Sequence, residues 1–385
     1  MKHCKTVERA LGKMMVVAGL MLTSLTLAGL MVFAAQKHAV RRVSETNAGA
    51  PTPEKVVRFV RERFGVVSTT KLTIGSLSPS PAPGFYEAVV TIDDGKQSHQ
   101  QELSVSKDGH YLLLGKLLPL NGDPGVSAPQ YIRDQFKVPA NVTLTAGPFH
   151  PSKYAGFLDT TVTANDGVHS QNQDFLVTED KKFLNLGNAV FDLNKDPRSE
   201  ALHTISMKDQ PFQGAARAPV TIVEYADLEC PSCARMHQYL EDQFMPKYKD
   251  KVRLVFKEYP LPSHPWGETG AIANECAYDI DPSKFLPYRT LIFQHQNDVD
   301  AVQTNSSQVR DLLLSYGQQV GLDRGKLAAC FDSQSSKSRV DAGHHEGEEL
   351  SVSQTPTLFV NGKVLAGPPP DVLTQAVEDA LKESK

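Results

Sequence analysis

Val220-Thr221-Ile222-Val223-Glu224-Tyr225-Ala226-Asp227-Leu228-Glu229-Cys230-Pro231-Ser232-Cys233 is the stretch that decides the fold. Its first six residues are a short, mostly β-branched and apolar run, which reads as a strand. From Cys230 to Lys249 the apolar residues Met236, Tyr239, Leu240 and Phe244 fall on one helical face, so the two cysteines sit where a strand hands over to a helix. With Cys230 at the N-cap, Pro231 takes the first helical position, which needs no N–H, and Cys233 lies one turn along, close enough to bridge. The helix N-terminus favours a thiolate on Cys230, lowering its pKa and making it the attacking sulfur. Cys233, deeper in the helix, then resolves the mixed disulfide. A structural disulfide and half of a zinc site are the other readings of a C-x-x-C; zinc is disfavoured because no second C-x-x-C or nearby Cys/His pair exists.

Working outward, Arg253 to Tyr259 is the next strand, and residues 268–348 carry helical patterns without a convincing strand. Thr357 to Val360 is a strand, Asn361-Gly362 a tight turn, Lys363 to Leu365 its partner, and Val372 to Lys382 a closing helix. The order β-α-β, a helical insertion, then β-β-α predicts an α/β domain over 199–385: a thioredoxin fold with an inserted helical domain. In that fold a cis Pro356 after Thr355 would bring its loop against the dithiol and offer backbone groups to a substrate chain; an ordinary turn proline is the alternative. Glu224 interrupts an apolar strand, where a charge is expensive. Either it exchanges protons with Cys233, which a raised pKa would suit, or Lys257 from the adjoining strand pairs it in a salt bridge. Asp227 and Glu229 are expected at the rim.

At 385 residues the chain exceeds one ordinary domain. A net charge of -4 leaves no basic footprint for nucleic acid. Lys2, Lys5, Arg9 and Lys13 precede an uncharged apolar stretch from Met14 to Ala35. Residues 1–42 therefore read as a signal peptide or an inner-membrane anchor, the length favouring an anchor, and either implies export to the periplasm. Cys4 precedes this stretch; Cys230, Cys233, Cys276 and Cys330 follow it and could pair in three ways. Beyond a linker at about 43–55, an internal repeat runs at an offset of 72. Val60-Arg61-Glu62-Arg63-Phe64-Gly65-Val66 answers to Ile132-Arg133-Asp134-Gln135-Phe136-Lys137-Val138, Gly84-Phe85 to Gly156-Phe157, and Asp94-Gly95 to Asp166-Gly167. Each unit, 43–125 and 126–198, opens with an amphipathic helix (54–64 and 128–136). Alternating strands with Asp-Gly turns follow, giving a helix on a small antiparallel sheet, twice. No catalytic group is arranged there.

The 220–233 stretch, Tyr259-Pro260-Leu261 and Thr355-Pro356-Thr357-Leu358-Phe359-Val360-Asn361-Gly362 together resemble the DsbA-like thioredoxin family, in particular its BdbD-type branch, over about 205–385. The resemblance implies Cys230 as nucleophile, Cys233 as resolving thiol, Pro356 as the cis proline and Glu224 as a buried acid. It also implies a second, structural disulfide between Cys276 and Cys330. Pro-Ser stands between the catalytic cysteines where enterobacterial DsbA has Pro-His, which bears on the potential. In the repeats, Lys107-Asp108-Gly109-His110-Tyr111-Leu112 with Gly115, echoed from Asp180 to Gly187, is similar to the dimerisation domain of DsbC-like isomerases and implies a pseudo-dimer within a monomer. The expected protein is an extracytoplasmic thiol–disulfide oxidoreductase, an oxidase before an isomerase, needing no cofactor or metal. Its expected partners are exported protein thiols and a membrane redox protein of the DsbB or vitamin-K-epoxide-reductase type. An isomerase or reductase that uses the repeats to hold clients is the alternative, as is a client-binding module with a structural dithiol.

Overall fold

A computed structural model describes residues 51–187 and 189–384. The apolar stretch 14–35, read as signal or anchor, lies outside the described residues, among which no helix is long and apolar enough to cross a membrane. The described residues divide into two compact units: one comprises those up to Arg61 with Thr70–Lys195, the other Glu62–Thr69 with those from Asp196.

In the first unit, helix α1 (Pro53–Arg63) buries Val56, Phe59 and Val60, an i, i+3, i+4 stripe. After it come strands β1 (Lys71–Ile74), β2 (Ser78–Pro79), β3 (Phe85–Asp93), β4 (Ser98–Ser106), β5 (Tyr111–Leu114) and β6 (Leu117–Pro119). Helix α2 (Pro124–Phe136) is followed by β7 (Thr143–Ala146), β8 (His150–Pro151), β9 (Phe157–Asn165), β10 (Ser170–Thr178), β11 (Phe183–Asn185) and β12 (Val190–Asp192). Two antiparallel sheets result, in the orders β1-β3-β4-β5-β12 and β6-β11-β10-β9-β7. The last short strand of each half crosses over: β6 pairs with β11, Leu118 opposite Leu184, while β12 pairs with β5, Val190 opposite Leu113. At the crossing the buried Asn185 donates from Nδ2 to the Leu114 carbonyl (2.9 Å). A Cβ on Gly187 would stand 2.0 Å from that same oxygen, so only glycine fits. Helix α2 starts four residues before the expected 128, ahead of the boundary at 126, because Asp123 caps it by accepting from the Gly125 N–H and Pro124 fills the first position. The second Asp-Pro pair does the same at Asp196 for helix α3 (Pro197–Thr204).

The second unit is a five-stranded sheet in the order β13-β15-β14-β16-β17. Its strands are β13 (Phe212–Gly214), β14 (Val220–Ala226), β15 (Val252–Glu258), β16 (Thr357–Val360) and β17 (Lys363–Ala366). β14 runs parallel to β15 and antiparallel to β16, which puts it at the centre with both faces covered. On one face Val220, Ile222, Leu254, Phe256 and Leu358 pack with residues of the helices; on the other Val223, Tyr225, Val255 and Phe359 pack with Ala201 and Ile205. α4 (Pro231–Tyr239) follows β14, loosens into a π turn at Leu240–Phe244 and ends as α5 (Met245–Tyr248). The insertion between β15 and β16 is wholly helical: α6 (Gly267–Ile280), α7 (Phe285–Gln294), α8 (Gln296–Asp300), α9 (Ser306–Gln319), α10 (Arg324–Ser333) and α11 (Lys337–Glu349). α12 (Pro370–Glu383) closes the chain.

Residues 62–69, assigned to the first repeat by the sequence reading, belong to this second unit. Val67 joins the core that holds Leu365 and Val377, Lys363 Nζ donates to the Val66 carbonyl (2.9 Å), and Ser68 binds the Asp379 carboxylate through its N–H and hydroxyl. Gly65, at φ +64°, lies so close to the Val364 carbonyl that a Cβ would stand 2.0 Å from that oxygen.

Candidate functional site

Cys230 is the N-cap of α4, in extended conformation, with Pro231 at the first helical position. Its N–H donates to the Asp227 carbonyl (3.1 Å), and Gln296 Nε2 donates to the carbonyls of Leu228 (2.7 Å) and Cys230 (3.2 Å). Backbone and a distant glutamine thus fix the turn that aims the sulfur. Cys230 is 6% exposed and Cys233 0%, and both are free thiols. The Thr355–Pro356 bond is cis, and the Cys230 Sγ lies 3.4 Å from the Thr355 carbonyl oxygen.

The two thiols are electrostatically unlike. Hydrogen bonding from the Cys233 thiol, together with Thr355 and the N–H groups of Cys233 and Ser232, outweighs burial and lowers Cys230 to about 6. Those N–H groups are the unpaired donors of the helix start. Cys233 is pushed well above its ordinary value, first by burial, then by the sulfur of Cys230 beside it, with the charge of Glu224 adding to the effect. The N–H of Asp227 donates to its Sγ (3.5 Å). A pair of this kind presents one thiolate at neutral pH and keeps its neighbour protonated.

Glu224 is buried, as its apolar strand requires, and burial raises its carboxyl to about 7. Lys257 does not pair with it. In the parallel ladder Glu224 stands opposite Phe256, and Lys257 stands opposite Tyr225, so alternation turns the lysine to the other face. There its Nζ meets Glu346 Oε1 (2.9 Å), which also accepts from the Tyr225 hydroxyl. The cation beside Glu224 is Arg289 of α7, whose Nη2 lies 3.5 Å from Oε2. Sequence reading missed Arg289 because its partners lie on another element, 65 and 31 residues away.

Asp227 and Glu229 are buried, not at the rim. Asp227 accepts from the N–H groups of Glu229 (2.8 Å) and Leu261 (2.7 Å) and contacts His264 Nδ1 (2.6 Å). Glu229 accepts from the Trp266 N–H (2.6 Å). The two carboxylates tie the 261–266 loop to the end of β14, and the Asp227 partner raises the His264 pKa. In the helical insertion Cys276 on α6 and Cys330 on α10 are bridged, with Cα atoms 5.9 Å apart. No group of three or more metal-ligating side chains occurs among the described residues.

The sheet order, the helix-start dithiol and the loop across it define a thioredoxin-like protein. A family model described as Thioredoxin matches residues 206–379. Disulfide bond formation protein D of Bacillus subtilis is 27% identical over 179 residues, 46% of this chain and 79% of its own length. Probable disulfide bond formation protein D of Bacillus cereus is 26% identical over 202 residues, 51% of this chain and 91% of its own. Among solved structures, oxidised BdbD from Bacillus subtilis is 24% identical with a TM-score of 0.42, covering 46% of this chain and 95% of that one. Over residues 206–379 the chain is thus similar to thioredoxin-like thiol–disulfide oxidoreductases of the disulfide bond formation protein D type.

Proposed function

We propose that this protein introduces disulfides into exported proteins outside the cytoplasm. The observation that carries the proposal is the inequality of its thiols, Cys230 lowered to about 6 and Cys233 raised well above neutrality. In the oxidised enzyme a substrate thiolate attacks Cys230, the Cys230–Cys233 bond breaks, and Cys233 leaves with the electron pair and takes a proton. A second substrate thiolate then attacks the substrate sulfur of the mixed disulfide, forming the substrate disulfide and releasing Cys230 as a thiolate. The Thr355–Pro356 loop offers its main chain to the substrate segment, and Glu224 exchanges the proton of Cys233. A stabilised thiolate favours the reduced form and so makes the disulfide the stronger oxidant, which supports oxidase over isomerase or reductase. Reoxidation then falls to a membrane partner of the DsbB or vitamin-K-epoxide-reductase type. The exchanged strands of the first unit support reading its halves as a duplication that offers a client-facing surface.

The equilibrium potential of Cys230/Cys233 against glutathione tests the reading. A value near that of known strong oxidants, about −120 mV, is expected, whereas one near the thioredoxin value of about −270 mV would make the protein a reductase.

A further inference from the structure

We propose that Glu224 and Glu258 hold one proton between them on either side of Arg289, and that this pair, not Glu224 alone, exchanges a proton with Cys233. The inference rests on the reading of Cys230/Cys233 as the working dithiol.

Charge counting comes first. Glu224 and Glu258 are 1% and 2% exposed, and Arg289 is 0% exposed. Arg289 Nη1 lies 2.6 Å from Glu258 Oε1, and Nη2 lies 3.5 Å from Glu224 Oε2. The nearby cations are otherwise engaged: Lys257 with Glu346 on the other face of the sheet, and Arg339 of α11 with Glu275 and Asp279. One guanidinium therefore faces two buried carboxyls, and an uncompensated carboxylate in such surroundings takes up a proton instead. Hydrogen bonding points the same way. Asn274 Nδ2 donates to Glu258 Oε1 (2.8 Å), yet Glu224 Oε1, Glu258 Oε2 and Asn274 Oδ1 are three buried acceptors without a donor, against two unpartnered nitrogens in this group, Arg289 Nε and His237 Nδ1. A carboxyl proton supplies the missing donor.

The remaining groups around the pair fit this count. Burial raises both Glu224 and Glu258, with Glu241 of the π turn adding to the first and Asp227 to the second. His237 of α4, buried and repelled by Arg289, is lowered to about 3 and stays neutral. Glu258 has the closer cation and the Asn274 donor, so the proton rests mainly on Glu224. When a substrate thiolate breaks the Cys230–Cys233 bond, the negative charge appears on the Cys233 sulfur. The pair donates its proton there and becomes doubly ionised around Arg289, then regains a proton from solvent.

Redox-difference infrared spectroscopy of the whole exported chain, with the pH dependence of the Cys233-dependent step, tests this. In wild type, time-resolved difference spectra should show a carboxylic-acid carbonyl signal that is lost as the dithiol opens and returns as the pair regains its proton. In Glu258→Gln, Glu224 is left as sole partner of Arg289 and ionises. The signal should vanish and the pH midpoint should fall from near 7 by about 1–3 units, the usual effect of a close opposite charge. Glu224→Gln should lose the signal as well. A Glu258→Gln protein with the wild-type signal and midpoint overturns the pair and leaves Glu224 acting alone. If the glutamine variants do not fold, a wild-type spectrum with no acid carbonyl change on opening overturns it equally. Slow, unselective alkylation of Cys230 in wild type is a different failure, that of the dithiol reading itself.

Discussion

A thiol that ionises near pH 6 beside one that keeps its proton divides the labour of exchange, and substitution separates the two parts. Cys230→Ala should abolish dithiol exchange, whereas Cys233→Ala should accumulate mixed disulfides that mass spectrometry detects as adducts on Cys230; efficient turnover by the first variant would remove Cys230 as nucleophile. Alkylation of the reduced protein should rise with pH through about 6 and then level off. The same shift bears on stability. The folded Cys230 lies below its ordinary 9.0, at about 6, so its contribution is fully present above pH 9 and is lost as pH falls through 6. Three units correspond to on the order of 4 kcal/mol. The raised Glu224 and Glu258 act in the opposite direction, so the test is the difference: the urea midpoint of the reduced protein relative to the oxidised one should be lower at pH 5 than at pH 9. At this scale the sequence was legible wherever local pattern decides. The cysteine spacing and the lone acid in an apolar strand named Cys230, Cys233 and Glu224. Arg289 was hidden because Phe285-Leu286-Pro287-Tyr288-Arg289 reads like any helix with a surface arginine. Asp227 and Glu229 looked like rim residues because the N–H groups that bury them come from the 261–266 loop.

Elements were read well where two signals agreed. β16 and the Asn361-Gly362 turn match the sequence reading, both turn residues having positive φ, because strand pattern and turn chemistry pointed the same way. β13 went unread, since the three residues Phe212–Gly214 are too few to show alternation. The helices of the insertion carry their own test. Cys276 is fully buried on α6, and its bridge to Cys330 spans 54 residues, a closure that contributes about 4 kcal/mol in the chain-entropy model. Mild reductant that opens Cys230–Cys233 should leave Cys276–Cys330 intact. Stepwise reduction with mass mapping decides it, and simultaneous opening of both pairs would count against a structural bridge.

On the scale of the whole molecule, the chain passes between its two units three times, after Arg61, Thr69 and Lys195. A cut before residue 199, natural from sequence, removes both Val67 from the core and Arg198, whose Nε donates to the Asn361 carbonyl (2.8 Å). Burial of Val67 alone is worth about 1.5–3 kcal/mol, and each kcal/mol moves Tm by roughly 2–4 °C at this size. A 199–385 fragment should therefore keep its reactive dithiol but melt roughly 3–12 °C lower than one retaining Asp196–Arg198 and supplied with residues 62–69 as a peptide; equal melting temperatures would mean that the segment contributes nothing. Light scattering of residues 43–385 should report a monomer, as the proposed internal pairing of the two halves of the first unit requires. The crossed strands of the first unit carry a further consequence. β5 is closed only by β12 and β11 only by β6, so neither half completes its own sheet. Loss of one half strips the closing strand from the other and exposes Leu113 or Leu184 along an open edge. Calorimetry of this unit should accordingly record one cooperative transition, with an unfolding free energy that is not the sum of two independent halves.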